Sequence, residues 1–188
     1  MATIEFIGHV RLAFQGEREG TAALTCGQRD TWTWVNTDNA GAILGVPISL
    51  PKGTKMADIT AAVGILLIRH ETLRTTFVST DATTEPVQSV AASGEFLIDV
   101  HRIVTPEPGS DLDTFYSDVE ASLVSELRAK GLNLAVDPSF RVAVAIQDDI
   151  PRAAAIAASQ RARRRRNRIR EDPRKARRAR LSGPAQRD

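Results

Sequence analysis

After Ser159 the sequence changes character within a few residues. Up to that point apolar residues recur at helix and strand spacings. From Arg161 to Asp188 the chain reads RARRRRNRIREDPRKARRARLSGPAQRD, where the only large apolar residues are Ile169 and Leu181. A segment of this composition cannot bury enough apolar surface to offset the conformational entropy that folding would cost it, so residues 161–188 are expected to form a disordered, arginine-rich tail. The core must therefore come from residues 1–160, which is room for one ordinary domain. A domain of about 150 residues buries roughly 68–70% of the surface its unfolded chain exposes.

The same boundary divides the charge. Residues 161–188 hold 12 Arg and one Lys against Glu171, Asp172 and Asp188, a net +10; the first 160 hold 12 basic and 20 acidic side chains, a net −8. The overall +2 describes neither part. No apolar run approaches the ~18 residues of a membrane span. The start, MATIEFIGHVRLAF, lacks the basic, apolar and small-residue zones of a signal peptide. Cys26 is the only cysteine, which excludes internal disulfides and multi-cysteine metal sites. These features lead to the expectation of a cytoplasmic protein with no metal, no cofactor of its own and no membrane contact.

Within residues 1–160 the order of elements is mixed α/β. Thr3 to Phe14 alternates as a strand, with Ile4, Phe6, Val10 and Leu12 expected on one side. QGEREG follows as a turn. Thr25 stands three residues before Gln28, the spacing of a capping box, so a helix is placed from Cys26 to Val35. Ala42 to Leu50 reads as a strand that Pro47 assigns to an edge or a bulge. Ile59, Val63, Leu66, Leu67 and His70 recur at helical spacing from Met56 to Glu71. Strands are expected at Arg74–Ser79, Val87–Val90 and Phe96–Val104. A helix from Asp111 to Lys130 carries Leu112, Phe115, Val119, Leu123 and Leu127 on one stripe, with Gly131 as its stop. Phe140–Gln147 alternates as a strand, DDIP turns with Asp148 and Asp149 in solvent, and RAAAIAAS is a short apolar strand.

One stretch is denser in charge than its surroundings. RHETLRTTF, Arg69 to Phe77, directly follows the apolar run AAVGILLI. Basic side chains at a helix C-terminus need no more explanation than the helix dipole, and a lone histidine there is more often a partly buried structural group than a base. The full string, however, closely resembles the RHExLRTxF motif of the condensation domains of nonribosomal peptide synthetases, through Arg69, His70, Glu71, Leu73, Arg74, Thr75 and Phe77. Upstream, LTCGQRDTW is similar to that family's first motif, a glutamine followed four residues later by tryptophan; Gln28 and Trp32 fit, and Thr31 stands in place of the usual leucine. The resemblance covers roughly residues 1–160. It implies a single chloramphenicol acetyltransferase-like lobe of α/β (α+β sandwich) type, with a mixed sheet and helices. The family joins two acyl groups, each bound through phosphopantetheine to a carrier protein, as an amide or ester.

The family's catalytic motif is HHxxxDG. Its second histidine serves as base or positions the attacking amine, and a histidine of near-neutral pKa within hydrogen-bond reach suits that task. Its aspartate pairs with an arginine of the RHExLRTxF segment, so the resemblance makes Arg69 and Arg74 scaffold residues. The motif is due after RAAAIAAS, where this chain instead reads Ser159-Gln160-Arg161. The three histidines, His9, His70 and His101, lie in no HxxxD arrangement. No P-loop, GxSxG elbow, zinc pattern or GxGxxG offers another chemistry. No catalytic, cofactor-binding or metal-binding residue is therefore assigned. The expectation is a truncated N-terminal lobe, inactive alone, with a carrier protein or a complementary C-terminal lobe as partner and a tendency to self-associate. A split acyltransferase completed by a separate chain would fit the same residues. The rival class is a small binding protein anchored by its tail. Twelve arginines attract any phosphate polymer without sequence preference, and the tail lacks the interleaved aromatics that stack on bases. The tail also has the composition of a GC-rich gene read out of frame, and that reading is preferred here.

Overall fold

The computed structural model describes residues 3–35, 43–79, 86–104, 109 and 111–159. The arginine-rich segment 161–188 and Ala42 lie outside the described residues. The strands are β1 (Ile4–Gln15), β2 (Gly20–Ala23), β3 (Ile43–Ile48), β4 (Thr75–Val78), β5 (Val87–Val90), β6 (Ser93–Ile103), β7 (Phe140–Gln147) and β8 (Ile150–Ser159). The helices are α1 (Cys26–Val35), α2 (Met56–Arg69) and α3 (Leu112–Lys130). A five-stranded mixed sheet runs β1-β6-β7-β8-β3, and a three-stranded sheet runs β2-β5-β4. In the larger sheet only β6 and β7 are parallel. A parallel neighbour requires a crossover, and α3 supplies it.

The larger sheet is covered on both faces because its strands are apolar on both. Ile59, Val63 and Leu67 of α2 pack on Phe96, Ile98, Val142 and Val144. Val119, Leu123 and Leu127 of α3 pack on Ala143, Ala145, Ala153, Ala155 and Ala157. The small side chains on that second face let α3 lie close to the sheet. Phe96 and Phe140 stack with centroids 4.6 Å apart, tying β6 to β7 on the α2 side. Pro47 sits in the edge strand β3, where a missing N–H costs nothing. The β7–β8 hairpin turns on Asp148 and Asp149, with φ of 50° and 60°, the positive values a two-residue primed turn demands. Both are exposed.

Four expectations are corrected. Ile4, Phe6, Val10 and Leu12 do not share a side. A β-bulge between Phe6 and Gly8 leaves Ile7 without a partner and reverses the alternation. Ile4 packs with the α3 core, whereas Val10, Leu12 and Phe14 pack with the α2 core. The region after QGEREG holds a further strand, β2, whose four exposed residues GTAA carry no apolar alternation. Helix α2 ends at Arg69, not Glu71, and its Leu66 and His70 are exposed. On α3, Leu112 is exposed, whereas Phe115 of the same turn packs with the core. No helix among the described residues is long and apolar enough to cross a membrane.

Candidate functional site

The segment Arg69–Phe77 links the two sheets. His70 breaks α2 with extended backbone (φ −119°, ψ 99°) while its N–H still donates to Leu66 O at 2.9 Å. Glu71–Arg74 make one turn of 3-10 helix, and β4 follows at once. Leu73 packs against the α2 core. The Thr75 hydroxyl donates to Glu71 O at 2.8 Å, holding the turn against the strand.

Arg74 is buried at 3% exposure, and its guanidinium folds back under the end of α2. Nε donates to Leu67 O at 2.8 Å, and Nη1 donates to Arg18 O at 3.2 Å and to Ala91 O. A cation at a helix C-terminus that bonds one of its last carbonyls is favourable twice, through the dipole and through the bond. Among the described residues no carboxylate forms an ion pair with it. The scaffold role implied for the two arginines therefore divides: Arg74 is built in, whereas Arg69 is exposed.

The other resemblance residues meet a short distance away. Gln28 closes the capping box of α1: Thr25 N–H donates to Gln28 Oε1 at 2.8 Å and Gln28 N–H to Thr25 Oγ1 at 3.3 Å. Its amide Nε2 also donates to Gln88 Oε1 on β5 at 2.8 Å. One turn on, Trp32 meets Phe77 edge to face with centroids 6.0 Å apart. Leu24, Leu134 and Leu132 complete this small third core. Gln28, Trp32 and Phe77 thus hold α1 and the smaller sheet together.

An open cleft of about 480 Å³ is lined by Glu17, Arg18, the run Ile68 to Thr72, and Arg74. Three arginines outnumber two glutamates there. His70 lines it as an exposed imidazole that no described residue hydrogen-bonds. The end of β8 emerges beside this segment: Ala158 pairs with Phe140, and Ser139 just before it donates its hydroxyl to Thr72 O at 2.8 Å. The sequence at that point is Ala157-Ala158-Ser159-Gln160, without a histidine. Cys26, the lone thiol, is exposed at the start of α1. Among the described residues no group of three or more His, Cys, Asp and Glu side chains is placed to hold a metal.

The sequence reading missed a second polar cluster, on the α3 side of the sheet. Asp99 Oδ1 lies 2.9 Å from His9 Nδ1, and Lys130 Nζ donates to Asp99 Oδ2 at 2.8 Å. The Lys130 ammonium also stands 4.5 Å from the centre of the Phe6 ring. His101 lies beside them, 2% exposed, with a buried Nε2 that has no hydrogen-bond partner among the described residues. Burial pushes its pKa below the ordinary value; Lys130 and His9 act in the same direction, and Asp99 and Glu126 oppose them. The available signal was polar residues at alternate positions of the otherwise apolar strand FLIDVHRI.

No protein-family model matches this chain, and no curated protein matches its sequence. Solved structures share its fold. The X-domain in its complex with OxyB, from teicoplanin biosynthesis, is 20% identical with a TM-score of 0.57, over 76% of this chain and 29% of that one. The condensation domain of the monacolin K polyketide synthase MokA is 14% identical with a TM-score of 0.57, over 74% and 30%. A variant of the starter condensation domain of the rhizomide synthetase RzmA is 17% identical with a TM-score of 0.54, over 74% and 32%. The chain spans less than a third of each, and what it shares with them is the fold of a condensation-type lobe.

Proposed function

We propose that this condensation-type lobe serves nonribosomal peptide or related secondary-metabolite assembly as a non-catalytic, partner-holding piece. Its partner on this reading is a carrier protein or a complementary lobe. The observation that carries the proposal is that β8, paired through Ala158 with Phe140, ends next to the Ser139–Thr72 hydrogen bond that ties β7 to the Arg69–Phe77 segment. The resemblance would put a histidine base and an arginine-bound aspartate there. Here the sequence reads Ala-Ala-Ser-Gln, and Arg74 bonds three main-chain carbonyls. On this reading His70, an exposed imidazole at the mouth of an open cleft, is not a base: that role needs the base held within about 2.6–3.2 Å of the proton it takes, and no described residue hydrogen-bonds its ring. The test is to incubate the purified chain with a carrier-bound acyl donor and an amine or hydroxyl acceptor. No amide or ester above background is expected; product whose formation is lost in His70→Ala overturns the reading.

A second reading rests on the +10 charge of residues 161–188, which favours attachment to a polyanion. Binding alone does not decide it, because such a segment attracts any phosphate polymer. Affinities for several DNA and RNA sequences and for heparin, at one near-physiological salt concentration, do decide it. Near-equal affinities are expected, and a preference of roughly 10³-fold for one sequence would make nucleic-acid recognition the better account.

A further inference from the structure

We propose that the outward face of α2 is a self-association surface on which a second copy of this chain packs its own α2, antiparallel, about a two-fold axis near Val63 and Gly64. This does not depend on the functional reading above. Helix α2 is apolar on both sides, but among the described residues only one side is covered. Ile59, Val63 and Leu67 face the sheet. At about 100° per residue, Asp58, Ala61, Ala62, Ile68 and Arg69 all fall within about 60° of Ile65 on the opposite side. All six are exposed, Ile65 at 62% and Ile68 at 51%. No polar side chain interrupts the stripe between Asp58 and Arg69. A surface helix of a monomer ordinarily carries charge on that face, and one apolar all round is normally buried all round.

The stripe fits its own copy in the antiparallel sense. With the axis near Val63–Gly64, Ala62 of one helix lies opposite Ile65 of the other, and Asp58 opposite Arg69. Large side chains then meet small ones, which permits the ~8–10 Å axial separation of well-packed helices. The two-fold repeats each contact, so both ends close with an acid against a base, and the helix dipoles oppose. A parallel pairing would instead set Asp58 on Asp58 and Arg69 on Arg69. The helix has 14 residues, about 21 Å. One helix pair of that length buries less than the ~1,200 Å² of a standard interface, so the association is concentration-dependent.

Two experiments on the full chain test this. Sedimentation equilibrium over a wide concentration range should give a mass rising from one chain toward two. Ile65→Glu should hold it at one chain with helix content unchanged, and its melting temperature should match wild type at the lowest concentrations, where wild type is also a single chain, because Ile65 is 62% exposed in the monomer. The second uses a Cys26→Ser background. Ala62→Cys chains mixed with Ile65→Cys chains under mild oxidation should cross-link to each other several-fold faster than either cross-links to itself. A wild-type chain that stays monomeric, an Ile65→Glu chain that dimerises like wild type, or Ala62→Cys chains that self-link as readily as they link to Ile65→Cys would each overturn the proposal.

Discussion

Gly16 rests against the guanidinium of Arg74: a Cβ placed on Gly16 would stand 2.6 Å from Nη1. Gly16 N–H also donates to Ala92 O at 2.6 Å, so the backbone there cannot back away freely. Gly16→Ala should therefore displace the buried guanidinium at a cost of about 1–3 kcal/mol, the usual range for overpacking. Arg74→Met should cost more. It removes the donor from Leu67, Arg18 and Ala91 together, at about 1–3 kcal/mol for each carbonyl that stays dry and unpaired. Urea midpoints of the two variants check the order. A midpoint for Arg74→Met equal to wild type would mean that the arginine does not hold the two sheets together.

Trp32 and Phe77 are 45 positions apart in sequence and join the two stretches that the resemblance singles out. If their contact couples α1 to β4, Trp32→Leu and Phe77→Leu should not be additive. A double-mutant cycle should give about 0.5–1.5 kcal/mol, the range for an edge-to-face aromatic pair. A coupling indistinguishable from zero would show the two rings to be neighbours without mutual support.

Lys130 and Asp99 are unequally buried, with side-chain exposures of 31% and 5%. The asymmetry sets the direction of a prediction. Lys130→Met leaves the Asp99 carboxylate in a dry position with His9 as its one remaining ion-pair partner among the described residues, which should cost about 3–5 kcal/mol, as for breaking a buried pair. Asp99→Asn leaves an ammonium that can turn to water, so its cost should be smaller. Chemical denaturation of both variants at neutral pH gives the comparison, and an equal or reversed order would contradict this account of the pair.

Elements with one strong period are legible in the sequence, and elements fixed by contact between distant residues are not. Helix α3 shows itself through Val119, Leu123 and Leu127, and the β7–β8 hairpin through its alternation and Asp148-Asp149. The bulge at Ile7 is invisible in sequence, because Ile4, Phe6, Val10 and Leu12 keep even spacing while the backbone inserts a residue that changes their side. Strand β2 has no pattern to read; it exists because β5 offers an edge to pair with. At the candidate site, the charged string was conspicuous but the division of labour inside it was not. Whether Arg69 or Arg74 is the buried one depends on the break of α2 at His70, which turns the later arginine under the helix and leaves the earlier one outside. The Asp99 cluster draws on β1, β6 and the last residue of α3, so no local window contains it.

His101 should make stability depend on pH in one defined window. Its ring is buried with Nε2 unpaired, and Phe6 closes over it edge to face at 5.6 Å between centroids. Desolvation is the chief reason that its pKa lies below the ordinary value, with Lys130 next, against the opposing charges of Asp99 and Glu126. In the unfolded chain the same histidine titrates near about 6.5. Between the depressed folded value and about 6.5 the unfolded state binds more protons than the folded one, so stability rises with pH there. On acidification the loss starts as pH drops through about 6.5 and stops adding up once the folded value is passed, with a slope from this group of at most about 1.4 kcal/mol per pH unit. Urea unfolding of wild type and of His101→Leu at a series of pH values isolates the term. The wild-type free energy should fall more steeply than that of the variant below about pH 6.5, and the two curves should run parallel above it. Parallel curves throughout would mean that His101 accepts a proton as easily when folded as when unfolded, and the dry position given to its Nε2 would be wrong.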